Sequence, residues 1–159
     1  MSAAGELGLV APGLIVNTMK GDRDEHRAGR WLEWSGTLDG LEAALIGIPF
    51  DGASVVRTGS RYGPDAVRRS FAYYTTFSSS DEHGMSEMRA ADIGDVPVTL
   101  TDMETTFTSI TKAIAGLVRR GVAPVSIGGD HSVAFPIIRG VVEGLGAGKK
   151  LGISFRRAS

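Results

Sequence analysis

The stretch APVSIGGDHSVAFPIIRG, residues 123–140, reads as a strand, a glycine turn and a helix in immediate succession. The apolar run Ala123 to Ile127 predicts a strand buried on both faces. Gly128 and Gly129 let the backbone leave the sheet sharply. A helix is predicted from Val133 to about Glu143, with Pro136 in its first turn, where a missing N–H costs little. Asp130 and His131 are thereby set at the carboxyl end of a strand with a helix amino terminus behind them. Ligands of open α/β sheets bind at such ends.

Working outward, the same alternation recurs. Ala43 to Ile48 is a continuous apolar run closed by Pro49, again a strand buried on both faces. A glycine-punctuated loop, Phe50 to Gly63, leads to Pro64, which suits the first position of a helix running to about Phe71. Ala90 to Val96 reads as a short strand and turn. Asp102 caps a helix with Met103, Phe107, Ile110, Ile114, Leu117 and Val118 at helical spacing, closed by Arg119, Arg120 and Gly121. Leu151 to Phe155 reads as a further strand after a glycine-rich turn. Strands alternating with helices predict a mainly parallel sheet in a three-layer α/β/α sandwich. Residues 1–40 lack such a period and are expected to form an arm over this domain or over a neighbouring subunit, with Trp31 and Trp34 as apolar anchors.

The 159 residues suffice for one domain with a real core. Lys plus Arg number 17 against 18 Asp plus Glu, so no net field points to a nucleic acid. The absence of cysteine excludes disulfides and thiolate metal sites and fits a reducing compartment. The longest apolar run is far below the ~20 residues of a membrane span, and residues 1–6 lack the features of a secretory leader. A cytoplasmic protein without membrane or nucleic-acid partners is expected.

The chemistry concentrates at Gly128, Gly129, Asp130 and His131. A neutral imidazole at a strand end is a good ligand for Mn²⁺ or Zn²⁺, and Asp130 could orient it or stand behind the metal. Spacing alone leaves open whether His131 is such a ligand or a polar loop residue beside a cap. No P-loop or dinucleotide fingerprint follows any predicted strand, so a nucleotide-binding domain is a weak alternative. His26 and His83 read as solvated, and Arg57, Arg61, Arg68 and Arg69 as solvated or subunit-facing. Tyr73, Tyr74 and Phe77 read as core or interface.

Three stretches taken together, GIPFDGASVVRTGSRYGPDAVRRS from Gly47, DIGDV from Asp92 and SIGGDHSVAFPIIRG from Ser126, resemble the ureohydrolase family of arginases and agmatinases. The resemblance runs in order from about residue 40 to 155, and the agmatinase branch fits it best. It implies an arginase-like sandwich, usually a trimer or hexamer, with two Mn²⁺ ions about 3.5–4 Å apart that activate a hydroxide. Agmatine would be cleaved to putrescine and urea. Guanidinobutyrate, arginine and formimidoylglutamate are the alternative substrates. Residue by residue, His131 matches the first metal ligand, while Gly128, Gly129 and Asp130 support its loop; no catalytic residue is carried over.

The family's next strand runs into Asp-Ala-His-x-Asp, whereas Phe155 here is followed by Arg156-Arg157-Ala158-Ser159. Inserting one C after the first codon of TTC GAC GCG CAT CAT GAC turns Phe-Asp-Ala-His-His-Asp into Phe-Arg-Arg-Ala-Ser-stop. Residues 156–159 are therefore expected to be a frameshift tail on residues 41–155 of a domain incomplete at its C-terminus; DNA lacking a restorable frame would refute this. With one ligand, the chain alone is expected to be inactive, and a truncated relic or binding module is the non-enzymatic alternative.

Overall fold

Hydrophobic patterning and punctuation determine where the elements fall. In the computed structural model the described residues are 3–12, 32–33, 35–78 and 83–154. A single turn of helix, α1 (Ala3–Glu6), precedes β1 (Ala43–Ile48), α2 (Gly63–Ser70), the two-residue strands β2 (Phe77–Ser78) and β3 (His83–Gly84), β4 (Ala90–Asp95), α3 (Met103–Arg119), β5 (Ala123–Gly128) and α4 (Ala134–Leu145). Trp31, Trp34, His26 and Phe155 to Ser159 lie outside the described residues, as does the side chain of His83.

The main sheet has the order β4-β1-β5 and is parallel throughout. Ala44, Ile46 and Ile48 of β1 point to one face and meet Ile110, Ala113, Ile114 and Leu117 of α3 in the core. Helix α4 packs on α3 at close range because Gly140 has no side chain: a Cβ there would lie 2.7 Å from the Cβ of Ile114. Asp102 caps α3 by accepting the N–H of Thr105 at 2.9 Å. At the other end Arg120 is the cap and Gly121 takes a positive φ of 74°, so that Gly121 N–H reaches Val118 O and Val122 N–H reaches Leu117 O.

The opposite face carries Ala43 and Leu45 of β1 with Ala123, Val125 and Ile127 of β5, and among the described residues α2, Leu32, Thr75, Thr76, Met85 and Met88 border it. The expected double-sided burial of β5 therefore does not hold: Val125 is 51% exposed. Among the described residues its strand has a neighbour on one edge only, and the groove beside α2 leaves its second face partly open. Leu151 to Ser154 are not a strand either. A strand exists through ladder bonds to a neighbour, and residues 151–154 make no such ladder although the outer edge of β5 is unpaired among the described residues. Ahead of β1, Leu7, Leu9 and Leu38 enter the same core, and Val10 exchanges two backbone hydrogen bonds with Asp95 along the β4 edge.

Arg68 is the largest departure from expectation. Instead of facing solvent it is 3% exposed and joins α2 to β4. Its Nε and Nη2 donate to the two carboxylate oxygens of Asp92 at 2.6 and 3.0 Å, Nη1 donates to Asp95 at 2.9 Å, and Nη2 also reaches Gly94 O at 3.3 Å. A planar guanidinium can satisfy two carboxylates and a carbonyl at once. Tyr73 and Tyr74, expected in core or interface, are exposed at the end of α2 in this chain.

Candidate functional site

Adjacent parallel strands deliver their following loops to the same place. Ile48 of β1 is in register with Gly128 of β5, so both chains leave the sheet side by side. The loop from β1 begins at Phe50, whose buried ring meets Phe107 of α3 edge-on at a centroid separation of 6.1 Å. The loop from β5 is drawn against it: Asp130 N–H donates to Phe50 O at 2.9 Å. Gly129 makes this approach possible, because a Cβ at that position would collide with the Phe50 carbonyl oxygen.

The side chain of Asp130 completes a clasp between the two loops. Its Oδ2 accepts the N–H of Ala53 at 2.9 Å, and its Oδ1 accepts both the N–H of Ser132, at 2.9 Å, and the Ser132 hydroxyl. Three protein donors thus engage this carboxylate, none of them on His131. Asp130 also caps the single 3₁₀ turn His131–Val133 that opens into α4. His131 is the first residue of that turn and is exposed at the strand ends. Gly128, Gly129, Asp130 and His131 are therefore brought to one rim, as their spacing suggests.

A second carboxylate stiffens the partner loop. Asp51 is fully buried; its Oδ2 accepts the Gly59 N–H at 2.6 Å and, more weakly, the Arg61 N–H at 3.4 Å, while Arg61 Nη2 lies 2.7 Å from Oδ1. The Gly59 bond, helped by Arg61, holds the Asp51 carboxyl below the usual carboxylate range against the opposing effect of burial. Arg61 is thus a half-buried ion-pair partner rather than a solvated residue. Sequence reading passed over Asp51, although an acidic residue between a buried strand end and a glycine turn is the available signal.

Asp95 lies on the other side of β1. Burial pushes its carboxyl above the ordinary range, with Arg68 pulling the opposite way. For Arg68, burial opposes the charge, but Asp92 and Asp95 more than offset it and keep the guanidinium firmly protonated. These residues are enclosed and point away from solvent, so they support the rim without lining it.

As to metals, the imidazole of His131 is of the right donor type. Among the described residues, however, no three His, Asp or Glu side chains gather around one point. The rim holds one candidate ligand, and the Asp130 oxygens beside it are already committed to hydrogen bonds. The described residues do not by themselves fit a complete metal centre.

Comparison with known proteins gives this geometry a context. A family model described as "Arginase family" matches residues 41–153. The mitochondrial agmatinase of Gallus gallus is 32% identical over 108 residues, which are 67% of this chain and 32% of that protein. Formimidoylglutamase from Bacillus subtilis subsp. subtilis str. 168 superposes with a TM-score of 0.71 at 21% identity, over 79% of this chain and 40% of that one. A formiminoglutamase variant of Trypanosoma cruzi solved with Mn²⁺ gives a TM-score of 0.65 at 22% identity, over 74% of this chain and 40% of its own. The chain spans about a third of the length of the curated relatives it matches.

Proposed function

This chain belongs to the arginase family, and on that premise we propose that it contributes one metal-binding imidazole, His131, to a manganese-dependent hydrolase of guanidino compounds. The observation that carries the reading is the placement of His131 on a rim held by Gly129 and the Asp130 clasp at the carboxyl ends of two adjacent parallel strands. Agmatine, cleaved to putrescine and urea, is the proposed substrate, because a 32% identical relative is an agmatinase. The fold likeness to a formimidoylglutamase keeps formimidoylglutamate as the second reading.

Manganese, when bound, would activate a water for attack on the amidine carbon. The chain's own contribution is positional. The carbonyl of Phe50 and the N–H of Ala53 hold both ends of Asp130, and Asp130 in turn fixes the turn that presents His131. A divalent ion needs several oxygen or imidazole ligands, so the remaining ones must come from groups other than those on the described rim.

Titration of the purified chain with Mn²⁺ tests this. Weak binding that disappears in His131→Ala, together with no urea release from agmatine by the 159-residue chain alone, is the expected result. Equal Mn²⁺ binding by His131→Ala, or urea release by the chain alone, would overturn it.

A further inference from the structure

The outer edge of β4 is closed by segments that precede β1 in sequence, and they attach at the two residues that hold Arg68. Asp92 N–H donates to Glu33 O at 3.1 Å, and Asp92 O accepts the Ser35 N–H at 2.7 Å. Asp95 N–H donates to Val10 O at 2.9 Å, and Asp95 O accepts the Val10 N–H at 3.0 Å. The carboxylates of the same two aspartates receive the Arg68 guanidinium. Where Val10 arrives, the strand is irregular. The pairing of β1 with β4 shifts register between Leu45 and Gly47, and Gly94 takes a φ of 95°. An irregularity of this kind re-aims the neighbouring side chain, which here is Asp95. A Cβ on Gly94 would collide with the Val10 carbonyl oxygen, so the backbone at Val10 lies directly against the bend, and Gly94 O is itself an acceptor for Arg68 Nη2 at 3.3 Å.

The attachment of residues 5–12 is light. Leu7, Leu9 and Pro12 are buried, and Leu7 sits over a notch in α3 where a Cβ on Gly116 would collide with its Cδ2. Arg120 Nη2 donates to Glu6 Oε2 at 3.1 Å, but both partners are exposed and such a pair adds little. Three buried side chains, two backbone hydrogen bonds and one exposed pair stand against the entropy of ordering the whole segment, a cost of comparable size. A segment so balanced opens locally while the core stays closed. We propose that residues 5–12 are a releasable strap whose docking at Gly94–Asp95 tightens the His131 rim. The relay is contiguous: Val10 holds Asp95, Asp95 holds Arg68 of α2, α2 ends the loop from β1, and Ala53 in that loop holds Asp130. The strap supplies the element with two arrangements that such a relay requires. Neither metal nor substrate enters the inference, so it can fail while the catalytic reading stands.

Residue-resolved amide exchange of the purified chain tests it, with Val10→Pro as the principal variant. Proline removes the N–H that bonds to Asp95 O, and the Val10 side chain, 51% exposed, contributes little to the core. Leu7→Asp releases the strap at its buried end instead. In both variants the Asp95 amide should exchange about tenfold faster or more, and those of Ala53 and Ser132 about threefold faster or more, while Ile114 in α3 keeps its protection. Val10→Ala keeps the backbone bonds and should leave all four unchanged. Unchanged exchange at Asp95 in Val10→Pro would overturn the strap. Faster exchange at Asp95 with Ala53 and Ser132 unchanged would overturn the relay to the rim. Equal acceleration at Ile114 in Val10→Pro would make the segment a part of the core that cannot be released, and would overturn the proposal as well.

Discussion

Replacing Arg68 by Met keeps the length of the side chain and removes its charge, which isolates the ion cluster beneath the rim. The guanidinium donates to Asp92 twice, to Asp95 once and to Gly94 O, with both carboxylates almost entirely enclosed. Breaking one side of a buried pair leaves an uncompensated charge and costs about 3–5 kcal/mol. Against a domain stability of about 5–15 kcal/mol that is about a fifth of the total or more. For a chain of this size it corresponds to a melting point about 6–20 °C lower.

The loss should also depend on pH, in a direction set by Asp95. Burial already raises that carboxyl above its ordinary value of 3.8, so its folded form binds protons more readily than the unfolded chain. Stability tied to such a group is greatest below the ordinary value and declines as pH rises through the folded one. Without Arg68, which pulls the Asp95 carboxyl down, that carboxyl rises further and the window of decline extends upward. Arg68→Met should therefore be more damaging at pH 8 than at pH 5, in urea denaturation followed by far-ultraviolet circular dichroism. A loss under about 1 kcal/mol, or one that is equal at the two pH values, would refute the cluster as a buried, charge-compensated unit. Arg68→Lys retains the charge but not the planar fork, and should fall between wild type and Met.

Three further outcomes follow from the geometry. Gly129→Ala places a methyl group against the Phe50 carbonyl oxygen and should cost about 1–3 kcal/mol with faster proteolysis of the loop after β1, whereas Gly152→Ala, which meets nothing within 4 Å, should leave both unchanged. Asp102→Ala removes the acceptor of the Thr105 N–H and hydroxyl and should lower the melting temperature by about 2–4 °C at neutral pH. The Thr105 hydroxyl holds that carboxyl below its ordinary 3.8, so its contribution is present above that value and lost as pH falls through the lower folded one; the Ala penalty should shrink there, as thermal melts across pH 2–7 would show. His131→Ala, at an exposed position, should change the melting curve by no more than about 0.5 kcal/mol while removing Mn²⁺ binding, which separates a ligand from a structural residue.

Local signals account for most of what could be read in advance. The apolar runs at 43–48 and 123–128 and the spacing of Ile110, Ile114 and Leu117 mark strands and a helix, because burial imposes the period. Asp102 and Gly121 mark the ends of α3, because caps act within one turn. The glycine pair before Asp130 marks the rim. What escaped depends on partners distant in sequence. Asp130 meets Ala53 across 77 residues, and Arg68 meets Asp92 and Asp95 across 24 and 27. A periodicity assigns every arginine to solvent, and only the tertiary arrangement shows that this one faces inward. The expected strand at 151–155 is a complementary case: its composition suits a strand, but a strand also requires a neighbour.

The two polar networks act on one loop. Residues 49–62 run from β1 to α2, held at the first end by Asp130 on Ala53 and by Asp51 on Gly59, and at the second by α2, which Arg68 ties to β4. The rim that presents His131 is thus braced from beneath as well as from the side. Loss of Arg68 should reach His131 without touching it: if α2 shifts, the loop moves with it, and the Ala53 bond that holds Asp130 is the first strained. Amide exchange at Ala53 and Ser132 reads this directly. Faster exchange at both in Arg68→Met, at a pH where the variant remains folded, would show the ion cluster and the rim to be one mechanical unit; unchanged protection would show that the Asp130 clasp holds the rim by itself.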